Sequence, residues 1–545
     1  MNRKLAIGIA LLLAVAVGAF FTFGDQEEPS PATELSDEDR TFGSNDWMER
    51  ACALPEEQLV RIQRGHHPVH SEDVTIVPLP PNYSGSFGVT SHSGPWDYLQ
   101  NVPLVLYGPP HVNAAGVLEG EVSITDVYPT VGHMTGVDLP ARTGKILREA
   151  VTQKGTRPRL IVTIVWDGVG RNVLERFAGR WPVLERLERE GTSYIDAVVG
   201  SSPSITPATH ASLGTGSYPA DHAVTAIEYR AGDGKVRGVL PGKDPSDLKL
   251  TTYADEIDRA LGNESLVGML AWKNWQMGMM GHGRATEGGD ADHLALVTGH
   301  KGFSGNDAYY STPEYLKEFP GLEQRAEELD RADGEADGKW LGHEVLAQHD
   351  NPAWVNWQTD GILEMLEREG YGSDAVPDLF FINYKPTDIV GHQHNMDSEE
   401  MGEVLESQDA ALGRLIDFLD EKVKDYVVIL TSDHGNTPPP TRSGAWPVLQ
   451  GQLQASVDAH FEVPDGQSLI RSTSAVGPFL NNKVAKNLGV TAADVAEFLN
   501  GYTLRENYKE EELPAGYEDR GGENILAAAF PSDRIDAILR CARTP

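Results

Sequence analysis

The sequence predicts an α/β protein built on a mostly parallel central sheet flanked by helices, with a smaller α+β insert. Three observations carry that expectation. Short apolar runs bounded by turn residues recur along the 545 residues, segments of helical period separate them, and no second linker interrupts the alternation after residue 45. Strands covered on both faces by helices read as continuous apolar runs, and ligands of such sheets gather at the carboxyl ends of the strands.

In chain order, Arg3 and Lys4 precede an apolar run from Leu5 to Phe23. Residues 1–24 are therefore expected to be an export signal or a membrane anchor. The anchor is favoured, because the Val17-Gly18-Ala19 cleavage-like site falls inside the apolar run. Residues 25–45 are acidic and poor in apolar side chains, as a flexible linker is. Everything from 46 to 545 is expected to form one catalytic domain. Its strands are expected at "PLVLYG" (103–108), "RLIVTIVW" (159–166), "LVGMLAW" (266–272), "DLFFINY" (378–384) and "YVVILTS" (426–432). Helical patterns lie between them at 172–191, 253–262 and 398–423. The acidic tract at 327–338 lacks the spacing of an EF-hand loop and reads as a solvated loop. Residues 440–535 repeat the strand-helix pattern and are expected to be the insert.

A formal net charge of −36 excludes a nucleic-acid-binding surface, because such surfaces need a basic stripe. Any phosphate handled here needs local cations. The two cysteines, Cys52 and Cys541, form an even pair in an exported chain, which favours a bridge over two separate buried thiols.

The chemistry-bearing residues cluster at strand ends. The first long strand ends in "VWDGVG", placing Asp167 where the backbone leaves the sheet; a turn or helix cap would use an aspartate there equally well. The strand at 378–384 runs into "KPTDIVGHQH", which sets Asp388 and His392 four apart on one helical face. A third strand ends in "TSDHGN", with Asp433 and His434 adjacent. Oxygen and imidazole donors without thiolates suit Zn²⁺ or Mn²⁺ in a catalytic site. Between the first two ends lies "GSSPSITPATHASLGTG" (200–216), in which Pro207 is expected to open a helix with Thr206 as its N-cap. A hydroxyl there is either a plain cap or a nucleophile at an anion site.

Together these motifs resemble the alkaline phosphatase superfamily, in its nucleotide pyrophosphatase/phosphodiesterase and phosphate-repressible phosphatase branch. The match runs through Asp167, Thr206 with His210 and Thr215-Gly216, "DIVGH" from Asp388 to His392, and "DHG" from Asp433. The branch carries one more histidine downstream of Asp-His-Gly; here only His460 comes after that motif, in an unrelated context. The missing context stands instead at residues 91–110, "SHSGPWDYLQNVPLVLYGPP", with "VSITDVYPTVGHMTGVDLP" at 122–140 after it. The resemblance thus implies a circular permutant in which His92 is the missing ligand and the ends bearing Cys52 and Cys541 meet.

By that resemblance, Asp388, His392 and His92 hold one zinc, and Asp167, Asp433, His434 and Thr206 hold the other. Thr206 would form a phosphothreonine intermediate. The implied function is extracytoplasmic hydrolysis of a phosphodiester or pyrophosphate, the substrate being a small molecule or a lipid headgroup ester, with membrane contact through the N-terminal segment alone. Three departures bear on it. Proline stands directly after Thr206, which keeps Ser204 and Thr209 as alternative nucleophiles; Ile227 stands where the branch has a phosphate-binding Asn; and "AWKNWQ" offers Lys273 for substrate but Trp275 in place of an Arg. Losing that Arg removes a bidentate clamp on a dianionic monoester and favours a diester. Phosphomonoesterase activity, or a metal-binding surface protein impaired in catalysis, are the alternatives.

Overall fold

In the computed structural model, residues 42–152 and 157–543 are described. The expected signal or anchor and most of the linker lie outside them. Among the described residues, no helix is long and apolar enough to cross a membrane.

Nine strands form the main sheet, numbered here along the chain: β1 (Leu104–Tyr107), β2 (Gly116–Leu118), β3 (Leu160–Trp166), β4 (Thr192–Tyr194), β5 (Val267–Ala271), β6 (His293–Val297), β7 (Phe303–Ser304), β8 (Asp378–Tyr384) and β9 (Tyr426–Thr431). Their order across the sheet is β7-β6-β5-β8-β3-β9-β1-β4-β2. The central run from β6 to β9 is parallel, and β1 lies antiparallel beside β9. The sequence prediction of a mostly parallel α/β sheet holds.

The side-chain period of two explains why these strands are apolar throughout. Val162, Ile164, Trp166, Phe380 and Ile382 point into one core, whereas Ile161, Val165, Leu379 and Phe381 point into a second core across the sheet. Each such side chain contributes about 1.5–3 kcal/mol when fully buried.

The antiparallel β1 matters most for function. Leu104, its first residue, pairs with Thr431, the last of β9. The loop that precedes β1, carrying His92, therefore reaches the same sheet edge as the carboxyl ends of β3, β8 and β9.

Two segments depart from expectation. The pattern at 172–191 is two helices, Arg171–Arg176 and Pro182–Glu190, because Pro182 has no N–H to continue a ladder and opens the second helix instead. The Trp181 indole closes the break by donating to the Leu174 carbonyl at 2.9 Å. In the acidic tract, the helix Leu322–Asp330 runs through the first residues, since Leu322 and Ala326 bury its apolar side, and only the stretch from Arg331 to Gly338 is a solvated turn.

The first and last segments of the described residues are knit together. Val74–Pro78 pairs antiparallel with Leu526–Pro531. Val74 and Ile76 join Trp446, Val448, Val495 and Leu499 in a further core. Buried Arg50 donates to the carbonyls of Ala527 and Leu526 at 2.9 and 2.6 Å. Cys52 and Cys541 form a disulfide with their Cα atoms 5.8 Å apart across 489 residues of sequence. The double variant C52S/C541S is expected to lose about 2–5 kcal/mol of unfolding free energy in urea melts; an unchanged midpoint would show that packing alone holds the ends.

Candidate active site

Four segments converge at the carboxyl edge of the sheet. β3 delivers Asp167 and β9 delivers Asp433 and His434. From β8 the chain enters a helix, Pro386–Gln393, which carries Asp388 and His392 on one face. The loop before β1 brings His92. All six are buried except His392, which is half-buried.

The three histidines are oriented alike. His92 Nδ1 lies 3.1 Å from the Ser204 carbonyl, His392 Nδ1 2.6 Å from that of Thr90, and His434 Nδ1 3.0 Å from that of Gly435. A ring that donates Nδ1–H to a carbonyl presents the lone pair of Nε2, the usual preparation of a metal ligand. The Nε2 atoms of His92, His392 and His434 lie 3.4, 3.5 and 3.6 Å from Asp388 Oδ1, and His434 Nε2 is 3.5 Å from Asp433 Oδ2.

These atoms are short of partners. Asp388 Oδ1, Asp433 Oδ2 and His434 Nε2 are buried without a hydrogen bond. Lone pairs that face one another at such spacing, too long for hydrogen bonds and compatible with a shared ion, fit divalent cations. His92, Asp388 and His392 form one donor group, and Asp167, Asp433 and His434 form another, each with one atom per residue within 4.8 Å of the rest.

Lys385, which the sequence motifs do not single out, stands at the centre. Its ammonium donates to Asp167 Oδ1 at 2.7 Å, to Asp388 Oδ2 at 2.8 Å and to Thr206 Oγ1 at 3.0 Å. Burial opposes its charge, but Asp167, Asp388 and Asp433 outweigh burial and raise its pKa. Asp388 shows the converse: burial pushes its pKa up, yet Lys385 and the surrounding histidines hold it well below the usual range. Asp433 goes well above it, through burial and then the Asp167 charge. Three carboxylates against one ammonium leave an excess of negative charge, which further cations would balance. The signal in the sequence is spacing: Lys385 is three residues before Asp388, on the same helical face.

Thr206 is not an N-cap. The helix spans Thr206–Thr215 with Ile205 as its cap, so Thr206 is the first helical residue and Pro207 the second. Its hydroxyl thus accepts from Lys385 instead of capping its own helix. His210 sits one turn on, with Nδ1 2.8 Å from the Thr206 carbonyl and Nε2 3.0 Å from Asn383 Nδ2. Asn383 also donates to Asp167 Oδ2 at 2.9 Å, so this second residue outside the motifs ties the helix to the first carboxylate. Burial lowers the His210 pKa to about 4, keeping it neutral.

The alternative nucleophiles are otherwise occupied or hidden. Ser204 Oγ donates to the His92 carbonyl at 2.9 Å and that of Gly94 at 3.3 Å, pinning the His92 loop, and Thr209 is buried within its helix. Lys273 lies 4.4 Å above the Trp275 ring. Its pKa is lowered by burial first and by Lys385 second, while Asp388 and Asp167 raise it, so it lies within electrostatic reach of the same centre. Ile227 pairs by its carbonyl with Val239 at 2.9 Å. His460 packs on Phe498 and Phe461.

Residues 161–538 match a family model described as type I phosphodiesterase / nucleotide pyrophosphatase. Among curated proteins, the chain is 22% identical over 477 residues to alkaline phosphatase PhoD of Zymomonas mobilis, covering 78% of this chain and 76% of that protein. It is 23% identical over 442 residues to a calcium-transporting ATPase of Myroides odoratus, covering 71% and 75%. Among solved structures, alkaline phosphatase PafA superposes with a TM-score of 0.51 at 16% identity, over 69% of this chain and 84% of that one, a likeness of fold.

Proposed function

The chain belongs to the type I phosphodiesterase / nucleotide pyrophosphatase family, within the alkaline phosphatase superfamily, and hydrolyses phosphoesters; from that premise we propose that it cleaves a phosphodiester or pyrophosphate through a phosphothreonine on Thr206. The observation that carries this reading is the Thr206 hydroxyl, held 3.0 Å from the Lys385 ammonium at the rim of two metal-donor groups.

Superfamily members use divalent metals. We assign one ion to His92, Asp388 and His392 and the other to Asp167, Asp433, His434 and Thr206, with zinc the proposed metal. When bound, the pair supplies positive charge to the phosphoryl oxygens of an in-line displacement. The residues of the chain do the rest. Lys385 stabilises the negative charge that Thr206 Oγ1 gains as its proton leaves, before the oxygen passes its electron pair to phosphorus. The Oγ1–P bond forms, the bond to the leaving oxygen breaks, and the hydroxyl proton ends on the departing alcohol. Water then cleaves the phosphothreonine and releases a monoester. Asn383 and His210 position Asp167 and the Thr206 helix without touching substrate.

Lys273, backed by Trp275, offers one cation to the substrate where a paired arginine would grip a dianion, which supports a singly charged diester. The relatives named alkaline phosphatase support the second reading, a monoesterase. Paired nitrophenyl substrates separate them: the full chain is expected to turn over bis-nitrophenyl phosphate at least about tenfold faster than nitrophenyl phosphate, as kcat/KM. The opposite ratio would make it a monoesterase.

The circular permutation belongs to the same proposal. It is supported by the family match beginning at residue 161, on β3, with the His92 loop and β1 upstream, and by the bond between Cys52 and Cys541. That disulfide also supports an extracytoplasmic location, where such bonds persist.

A further inference from the structure

A separate acidic cluster lies between the helix Tyr253–Ala260 and the turn that leads into β6. Asp258, on the helix, and Asp290 and Asp292, in the turn, each bring one carboxylate oxygen within 4.8 Å of the others. Asp258 is 5% exposed, and its Oδ1 has no hydrogen-bond partner. Asp292 is 9% exposed, while Asp290 opens to solvent.

Asp255, one turn earlier on the same helix, shows what a satisfied carboxylate looks like here. It accepts from the Thr252 and His282 backbone N–H groups at 2.8 and 2.7 Å and from His282 Nδ1 at 2.8 Å. Asp258 is served by the Ser265 backbone, which leaves its Oδ1 bare. Burial, then Asp290, push the Asp258 carboxyl up to about 7, and burial with Asp255, Asp258 and Asp290 raises Asp292 well above its ordinary range. The charges acting most on both are other carboxylates. Uncompensated buried charge either takes up protons or takes a cation. The backbone of the turn is fixed by Ser311 N, which donates to the Asp292 carbonyl at 2.8 Å, and by Asn263 Nδ2, which donates to that of Gly288 at 2.9 Å.

We propose that Asp258, Asp290 and Asp292 form a binding site for a hard divalent cation of the calcium class, apart from the catalytic metals. The donors are all oxygen, with no imidazole or thiolate to favour zinc, and exposed Asp290 leaves one side open for the waters that complete a calcium shell. The ion clamps the β6 turn to the helix.

The test uses the full chain loaded with its catalytic metals, with D290N as the variant and D258N as a second. Millimolar Ca²⁺ is expected to raise the melting temperature of the wild type by about 2–5 °C and that of D290N not at all. In calcium-free buffer D290N is expected to melt above the wild type, because removing one carboxylate relieves repulsion. Tb³⁺ is expected to show sensitised luminescence that Ca²⁺ displaces in the wild type, with Tyr310 and Tyr371 as sensitisers near Asp292. Equal calcium shifts in wild type and variants, or no shift in the wild type, would overturn the proposal.

Discussion

Thr206→Ala is expected to lower kcat/KM by about 10³-fold or more while leaving the metal content unchanged. The expectation rests on the hydroxyl's position, as the first helical residue with its oxygen held by Lys385 at 3.0 Å and no role in capping. Removing it deletes the atom that would bond to phosphorus and one assigned metal donor, whereas the carboxylate and imidazole donors of both groups, His92, Asp388 and His392 and Asp167, Asp433 and His434, keep their places and are expected to retain both ions. Ser204→Ala is the informative companion. Ser204 Oγ pins the His92 loop through the His92 and Gly94 carbonyls. Its loss should cost activity only modestly, by loosening a ligand. Acid quenching during turnover of a diester should trap the phosphoryl group with its retained ester on Thr206 in the wild type. Retained activity in Thr206→Ala, with the loss falling on Ser204→Ala, would move the nucleophile.

Lys385→Met is expected to have the second-largest effect, about 10²–10³-fold in kcat, the scale seen when one preorganised donor to a transition-state charge is lost. The variant keeps an unbranched apolar stem and removes the ammonium that touches Asp167, Asp388 and Thr206. Metal-free protein should show a second consequence. Breaking a buried ion pair from one side leaves uncompensated carboxylates, so unfolding free energy at neutral pH should fall by about 3–5 kcal/mol in urea melts. Added divalent metal should restore much of it by supplying the missing positive charge. A metal-free Lys385→Met protein as stable as the wild type would mean that Lys385 is not the counter-cation of the cluster.

The sheet was legible because its central strands are apolar on both faces, so "RLIVTIVW" and "DLFFINY" announce themselves without an alternating pattern to decode. The strand-end donors were legible for a related reason: an Asp or His just beyond such a run stands at the edge where ligands gather. Lys385 was not. A lysine beside a strand end is ordinarily solvated, and only the fold shows that its head is enclosed by three carboxylates. Asn383 was hidden inside the apolar strand itself, where one polar residue reads as tolerated noise until its amide is seen bridging Asp167 and His210. Thr206 stands one helical position from where the proline suggests, because Pro207 occupies the second helical position instead of its usual first, and Ile205 holds the extended backbone of the cap. The position of His92 could be reached from its motif alone; its physical cause, an antiparallel β1 whose first residue pairs with the last of β9, needed the sheet order.

Zinc analysis of single variants tests most directly whether His92, upstream of the first parallel strand, completes the metal pair. The wild type should hold two equivalents of zinc after gel filtration, His92→Ala one, and His460→Ala two. His92 Nε2 is 3.4 Å from Asp388 Oδ1, whereas His460 stacks on Phe498 within the 440–535 region. Two equivalents in His92→Ala and one in His460→Ala would contradict both the ligand assignment and the permuted order of the chain that supplies it.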